Sequence, residues 1–285
     1  MEYDNPRGGR DIVYVLKETA VNAVENQIPM LSAALSFYIL VSLAPLMLIL
    51  LNLMGYVFNL EDPENAILAF FKEYMISSGE LPFMTVGENY ELLQGNTAFT
   101  LLGLGILFWT STRVFNHLQY SLNRIWDVDE RARLGLLVKK RLLSFLLILA
   151  LGSAIFVFST VQGVLIEFEG HASEYLGMNA YSLQFLSNII SMAMTAALFY
   201  MLFKFIPDAH VPGKSALWGG LIASMLFFAG QIIAAYYFSL AGIASAYGAA
   251  GSLIVFLLWV YYSSQIFLVG AQFTRSYSSS SEVKS

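Results

Sequence analysis

The sequence contains no cysteine. That excludes disulfides, thiolate metal sites, cysteine nucleophiles and a lipoprotein anchor. Charge is scarce: Asp, Glu, Lys and Arg make up 12% of the 285 residues. That is about half the share found in soluble domains. The histidines, His117, His171 and His210, are scattered over different segments, with no acid pair beside them to complete a metal site. Walker, HExxH and GxSxG motifs are missing. The chain therefore reads as non-enzymatic, with no cofactor and no metal. The basic cluster at 124–141 is short and lacks a folded scaffold or stacking aromatics nearby, which argues against a nucleic-acid partner. The first apolar run begins near Leu31, behind a charged stretch, so a cleaved signal peptide is not expected.

Apolar residues, in contrast, make up 57% of the chain. A soluble protein of this length needs more polar surface than that leaves, so the natural solvent is lipid. A helix crosses the roughly 30 Å hydrocarbon core in about 20 apolar residues. Stretches of this kind run over Leu31–Phe58, Thr97–Phe115, Leu142–Ile166, Leu183–Phe205, Ser215–Leu240 and Ser252–Phe273. The expected fold is an all-α membrane protein, a bundle of about six transmembrane helices. It comprises an N-terminal segment (1–30), the membrane domain (31–275) and a disordered tail (276–285).

Sidedness follows from Lys and Arg, which concentrate in cytoplasmic loops. The N-terminal segment carries Arg7, Arg10 and Lys17. The loop after the second span carries Arg124, Arg131, Arg133, Lys139 and Lys140, with Arg141 beside it. Lys204 and Lys214 flank the loop after the fourth span, and Arg275 and Lys284 lie in the tail. The alternate segments hold Lys72 against Glu61, Asp62, Glu64, Glu73, Glu80, Glu88, Glu91, Glu167, Glu169 and Glu174. The pattern predicts an inner-membrane protein with both termini cytoplasmic. Arg124, Arg131, Arg133, Lys139, Lys140 and Arg141 are candidate contacts for anionic lipid, although plain topogenic charge explains them too.

Residues 11–28 set Ile12, Val13, Leu16, Ala20, Val24 and Ile28 at helical spacing. This is an amphipathic helix, lying on the inner membrane surface or packed across the ends of the bundle. The external segment 59–96 is long enough to carry short helices of its own. No Asp or Glu lies well inside a span. The polar groups at depth are neutral, and an unpaired amide facing lipid costs several kcal/mol. Asn52, Gln162, Gln231 and Gln265 are therefore expected to point inward. They line a polar cavity or pair between helices. Pro45, in mid-span, is a candidate hinge. The small-residue stretch 241–251 reads as tight packing or as a flexible outer gate.

Several stretches resemble the YihY/BrkB family of bacterial inner-membrane proteins. They are Ala34–Pro45, Phe108–Ser111 continuing through Ser121–Trp126, Pro207 with Lys214–Gly220, and Tyr247–Tyr261 ending in Gly270-Ala271. Family members often finish that last motif Gly-Ala-Glu, whereas this chain has Gln272. The resemblance implies a six-helix membrane domain. The family's names also link it to virulence and to a ribonuclease, and these residues offer no chemistry for a nuclease. The expected function is movement or binding of a small solute, ion or lipid through a neutral polar cavity. The alternative is a non-catalytic envelope-integrity protein that binds lipid or a partner protein. Expected partners are membrane lipids and a small solute or ion, and a homo-oligomer is allowed.

Overall fold

The computed structural model describes residues 12–57, 97–128, 180–241 and 251–282. Its helices are α1 (Ile12–Glu25), α2 (Ile28–Val57), α3 (Thr97–Ile125), α4 (Ala180–Phe205), α5 (Gly213–Ala241) and α6 (Gly251–Glu282). There is no strand among the described residues. Where lipid replaces water, a helix satisfies its own backbone polar groups. Long apolar stretches lie at Phe185–Phe205, Gly213–Ala234 and Leu253–Ser280, with mean hydropathy of 1.7, 1.7 and 1.9. These three suffice by length and composition to cross a membrane. The chain is thus an all-α membrane protein. The expected span 142–166 and the segment 59–96 lie outside the described residues, as does 242–250.

One expectation is corrected. The residues from Ser276 onward were expected to be disordered, yet α6 continues to Glu282, with Ser276, Tyr277 and Ser278 buried. Their polarity hid this, because tertiary contact, not hydrophobicity, holds the last turns. Pro45, the candidate hinge, lies within α2. The helical run breaks earlier, between α1 and α2. Gln27 there takes the left-handed conformation, φ 55°, and its amide donates to the Val24 carbonyl at 3.0 Å. A left-handed residue closing the last turn ends a helix without a proline.

The chain divides into two compact units. One comprises Met1–Ile28, Gln119–Phe228 and Ile266–Ser285, and the other Pro29–Leu118 and Ala229–Gln265. In the first, Phe199 and Phe203 of α4 meet Phe267 of α6 at ring-centroid distances of 6.2 and 5.2 Å. Val15 of α1 packs with Phe273 and Tyr277 of α6, and Ile222 of α5 covers them. In the second, the His117 Nε2 lies 3.0 Å from the Leu31 carbonyl oxygen, and its ring sits 5.6 Å from that of Tyr38.

Gly220 sets how closely α5 approaches α4. A Cβ there would stand 2.7 Å from the Ala196 carbonyl oxygen and 3.0 Å from the Tyr200 nitrogen. Both are backbone atoms and cannot swing aside. Gly220→Ala should lower stability by about 1–3 kcal/mol through overpacking. The thermal midpoint of the detergent-solubilised protein reads this, and an unchanged midpoint would refute the contact.

Candidate functional site

The polar residues fall into two groups, one in each unit. The first gathers where α3 ends. Asp127 is left-handed, φ 56°, its amide bonds the Arg124 carbonyl at 3.2 Å, and the Val128 amide bonds the Asn123 carbonyl at 3.0 Å. This is the paired pattern of a Schellman stop. The last carbonyls of a helix lack partners and carry partial negative charge. Arg275 of α6 answers both needs: its Nη1 donates to the Ile125 carbonyl, and its Nη2 lies 3.6 Å from the Asp127 carboxylate. Asp127 is 87% exposed, so that ion pair is solvent-screened and contributes little. The bond to the carbonyl is the stronger tie.

Beside it, Asn123 clamps the loop between α4 and α5. Its Nδ2 donates to the Asp208 Oδ2 at 3.0 Å, and its Oδ1 accepts the Asp208 amide at 2.8 Å. Gln119 adds a longer bond of 3.3 Å to the same carboxylate oxygen. One turn before Arg275, Gln272 is fully buried, and its Oε1 accepts a 2.8 Å bond from the Asn26 Nδ2. Its Nε2, the Ser276 hydroxyl and the Trp126 indole nitrogen are buried without partners among the described residues. Glu18 of α1 is partly buried, and that desolvation raises its carboxyl above the ordinary range, while Arg275 pulls it back.

The second group lies in the other unit. Gln231 of α5 falls seven residues after Ser224 and four after Phe227, hence on the same helix face. Ser224 is buried and Phe227 half-buried, yet the Gln231 side chain is exposed. The packed face of α5 has thus opened at the level of Gln231. Gln265 of α6 is half-buried. No hydrogen bond joins the two amides among the described residues. A Cβ on Gly230 would overlap the Tyr262 ring, so α5 and α6 touch one residue from Gln231 and three from Gln265.

Of the remaining candidates, Asn52 and Pro45 lie in α2, and Arg124, half-buried, ends α3. Gln162, Arg131, Arg133, Lys139, Lys140 and Arg141 lie outside the described residues. Sequence reasoning missed Asn26, Asn123 and Asp208, and counted Arg275 only as a tail base. Gln272 had stood out as a departure from Gly-Ala-Glu.

Some of the stretches that carried the resemblance supply residues to the first group. Asn123 belongs to Ser121–Trp126, Asp208 follows Pro207, and Gln272 follows Gly270-Ala271. The family model described as virulence factor BrkB matches residues 19–285. The chain belongs to the BrkB family. Its similar relatives include UPF0761 membrane proteins. One, from Psychrobacter sp. (strain PRwf-1), is 27% identical over 246 residues, 85% of this chain and 44% of the relative. One from Pseudomonas aeruginosa (strain LESB58) is 28% identical over 264 residues, 90% of this chain and 61% of the relative. One from Azotobacter vinelandii is 29% identical over 265 residues, with the same coverage of 90% and 61%. This BrkB-family chain therefore spans about half to three-fifths of the length of these relatives. No solved structure matches it.

Two tests follow from the first group. Asn26→Leu leaves the buried Gln272 amide without its partner and Gln272→Leu leaves the half-buried Asn26 amide so, a cost of up to about 1–3 kcal/mol. The double variant should cost clearly less than their sum, read as thermal midpoints in a double-mutant cycle; additive losses would refute the pairing. Glu18→Gln should raise the midpoint near neutral pH. A raised carboxyl favours the folded state only where it is protonated, so its stabilisation is lost as pH rises through the folded value. The gain from Glu18→Gln should therefore vanish below the ordinary carboxylate range. A pH-independent difference between the two proteins would contradict the burial effect.

Proposed function

We propose that this BrkB-family chain is a non-catalytic, multi-pass inner-membrane protein that moves or binds a small solute, ion or lipid along a neutral polar path. The Lys and Arg bias supports a cytoplasmic side for both termini. The observation that carries the reading is Gln231. It lies inside the apolar span Gly213–Ala234, about 27 Å along the axis from Gly213. Its amide is exposed there and has no hydrogen-bond partner among the described residues. Gln231 is three residues from the end of this stretch, where acyl chains offer the amide no partner but interfacial water does. Water or a passing polar solute meets the need. Gln265, close by on α6 through the Gly230–Tyr262 contact, supports the same path. The chemistry is neutral, and membrane lipids and the solute are its partners; neither a nucleic acid nor ribonuclease activity belongs to the reading.

A second reading, an envelope-integrity protein that binds lipid or a partner protein, is favoured by α1. Val15, Thr19, Asn22 and Asn26 recur on its inner face. On the opposite face Val13, Leu16 and Val24 are 70%, 48% and 76% exposed. That face offers an apolar surface with Lys17 among it.

Purified protein in liposomes separates the readings. Under the first, the wild type carries ions, osmolytes or lipid. Gln231→Leu then lowers the flux by about tenfold, the factor for one lost interaction of about 1.4 kcal/mol, with the thermal midpoint unchanged. A wild type that moves none of these, yet binds vesicles through α1, favours the second reading.

A further inference from the structure

A face of α3 that the transport reading does not use carries a second recognition feature. Leu102, Ile106, Trp109, Arg113 and Asn116 recur at steps of four and three residues, which places them on one stripe of the helix. All are exposed, with Leu102 at 62%, Ile106 at 49% and Trp109 at 58%. The stripe is apolar through Ile106 and turns amphipathic at Trp109, then polar at Arg113. That is the order met on passing from acyl chains to headgroups, and Trp is enriched at that boundary. The rise from Thr97 to Arg113 is about 24 Å, close to one hydrocarbon thickness of about 30 Å.

The Arg113 guanidinium carbon lies 5.5 Å from the centroid of the Trp109 ring. The ring holds the guanidinium over its face and leaves the planar N–H edge to donate. No carboxylate pairs with Arg113 among the described residues. A guanidinium fork matches a phosphate bidentately and is weakly hydrated, so it suits a half-wet interface.

We propose that Trp109 and Arg113 hold the phosphate of an anionic phospholipid, whose acyl chain lies along Leu102 and Ile106. The site is separate from the basic residues 124–141, where sequence alone placed lipid contact. It does not depend on the transport reading. An anionic lipid is favoured over a zwitterionic one because the latter brings its own cation to compete for the phosphate.

Native mass spectrometry of the intact protein tests this, titrating phosphatidylglycerol against phosphatidylcholine with the same chains. The wild type should bind phosphatidylglycerol in preference. Arg113→Gln should weaken that binding by about tenfold, the factor for about 1.4 kcal/mol. Arg113→Lys should fall between, because it keeps charge and loses the fork, and it serves as the measurement if Arg113→Gln does not fold. Trp109→Leu should weaken both lipids' retention. Equal binding by wild type and Arg113→Gln, or by wild type and Arg113→Lys, overturns the proposal. So does displacement of phosphatidylglycerol by millimolar inorganic phosphate, which would make it a simple anion site.

Discussion

In hydrocarbon a backbone amide or carbonyl has no water to bond, so each must find its partner within the protein. The described structure depends on that constraint. It makes every described element a helix, and it moves the difficulty to the ends, where several carbonyls and amides lack intrahelical partners. Those ends are where this chain places its specific chemistry. Gln27 closes α1 with a left-handed turn, Asp127 closes α3 with another, and Arg275 bonds the Ile125 carbonyl that α3 leaves open. Asn123 does the same service for the loop after α4, meeting the Asp208 amide and carboxylate together.

A second consequence concerns polar side chains. Several hydroxyls within the described helices are answered locally. Ser36, Thr110 and Thr195 return their hydroxyls to carbonyls of their own helices, at 2.8, 2.9 and 2.8 Å. Such bonds satisfy the hydroxyl at little cost. Gln231 has no such local remedy, since its amide is exposed within an apolar span. That contrast, between hydroxyls that are answered locally and an amide that is not, is what gives the transport reading its physical basis.

Membership of the BrkB family and the all-α membrane architecture agree with each other without naming a substrate. The relatives carry names that state only a membrane protein, and their chains extend well past the length matched here. The cluster of Asn26, Asn123, Asp208, Gln272 and Arg275 gives the family resemblance a structural meaning. Stretches 85 and 150 residues apart that looked like separate motifs are tied in pairs by hydrogen bonds.

Much of the helix layout was legible in the sequence. The run Leu31–Phe58 became α2 (Ile28–Val57), and Leu183–Phe205 became α4 (Ala180–Phe205), because apolar length against bilayer thickness is a one-dimensional property. The ends were less legible. α3 continues ten residues past Phe115, and α6 nine past Phe273, because those polar turns are held by contacts distant in sequence. The helix break at Gln27 was not legible either, because a left-handed glutamine leaves no mark in composition. Nor could the sequence say which polar residues meet: Asn26 and Gln272 are separated by 246 residues. Hydrophobicity and charge bias by themselves determined that the chain lives in a membrane and which segments can cross it. Only tertiary structure decided which amides are buried and paired and which, like Gln231, are exposed, because a hydrogen bond depends on positions in space that a helical pattern does not contain.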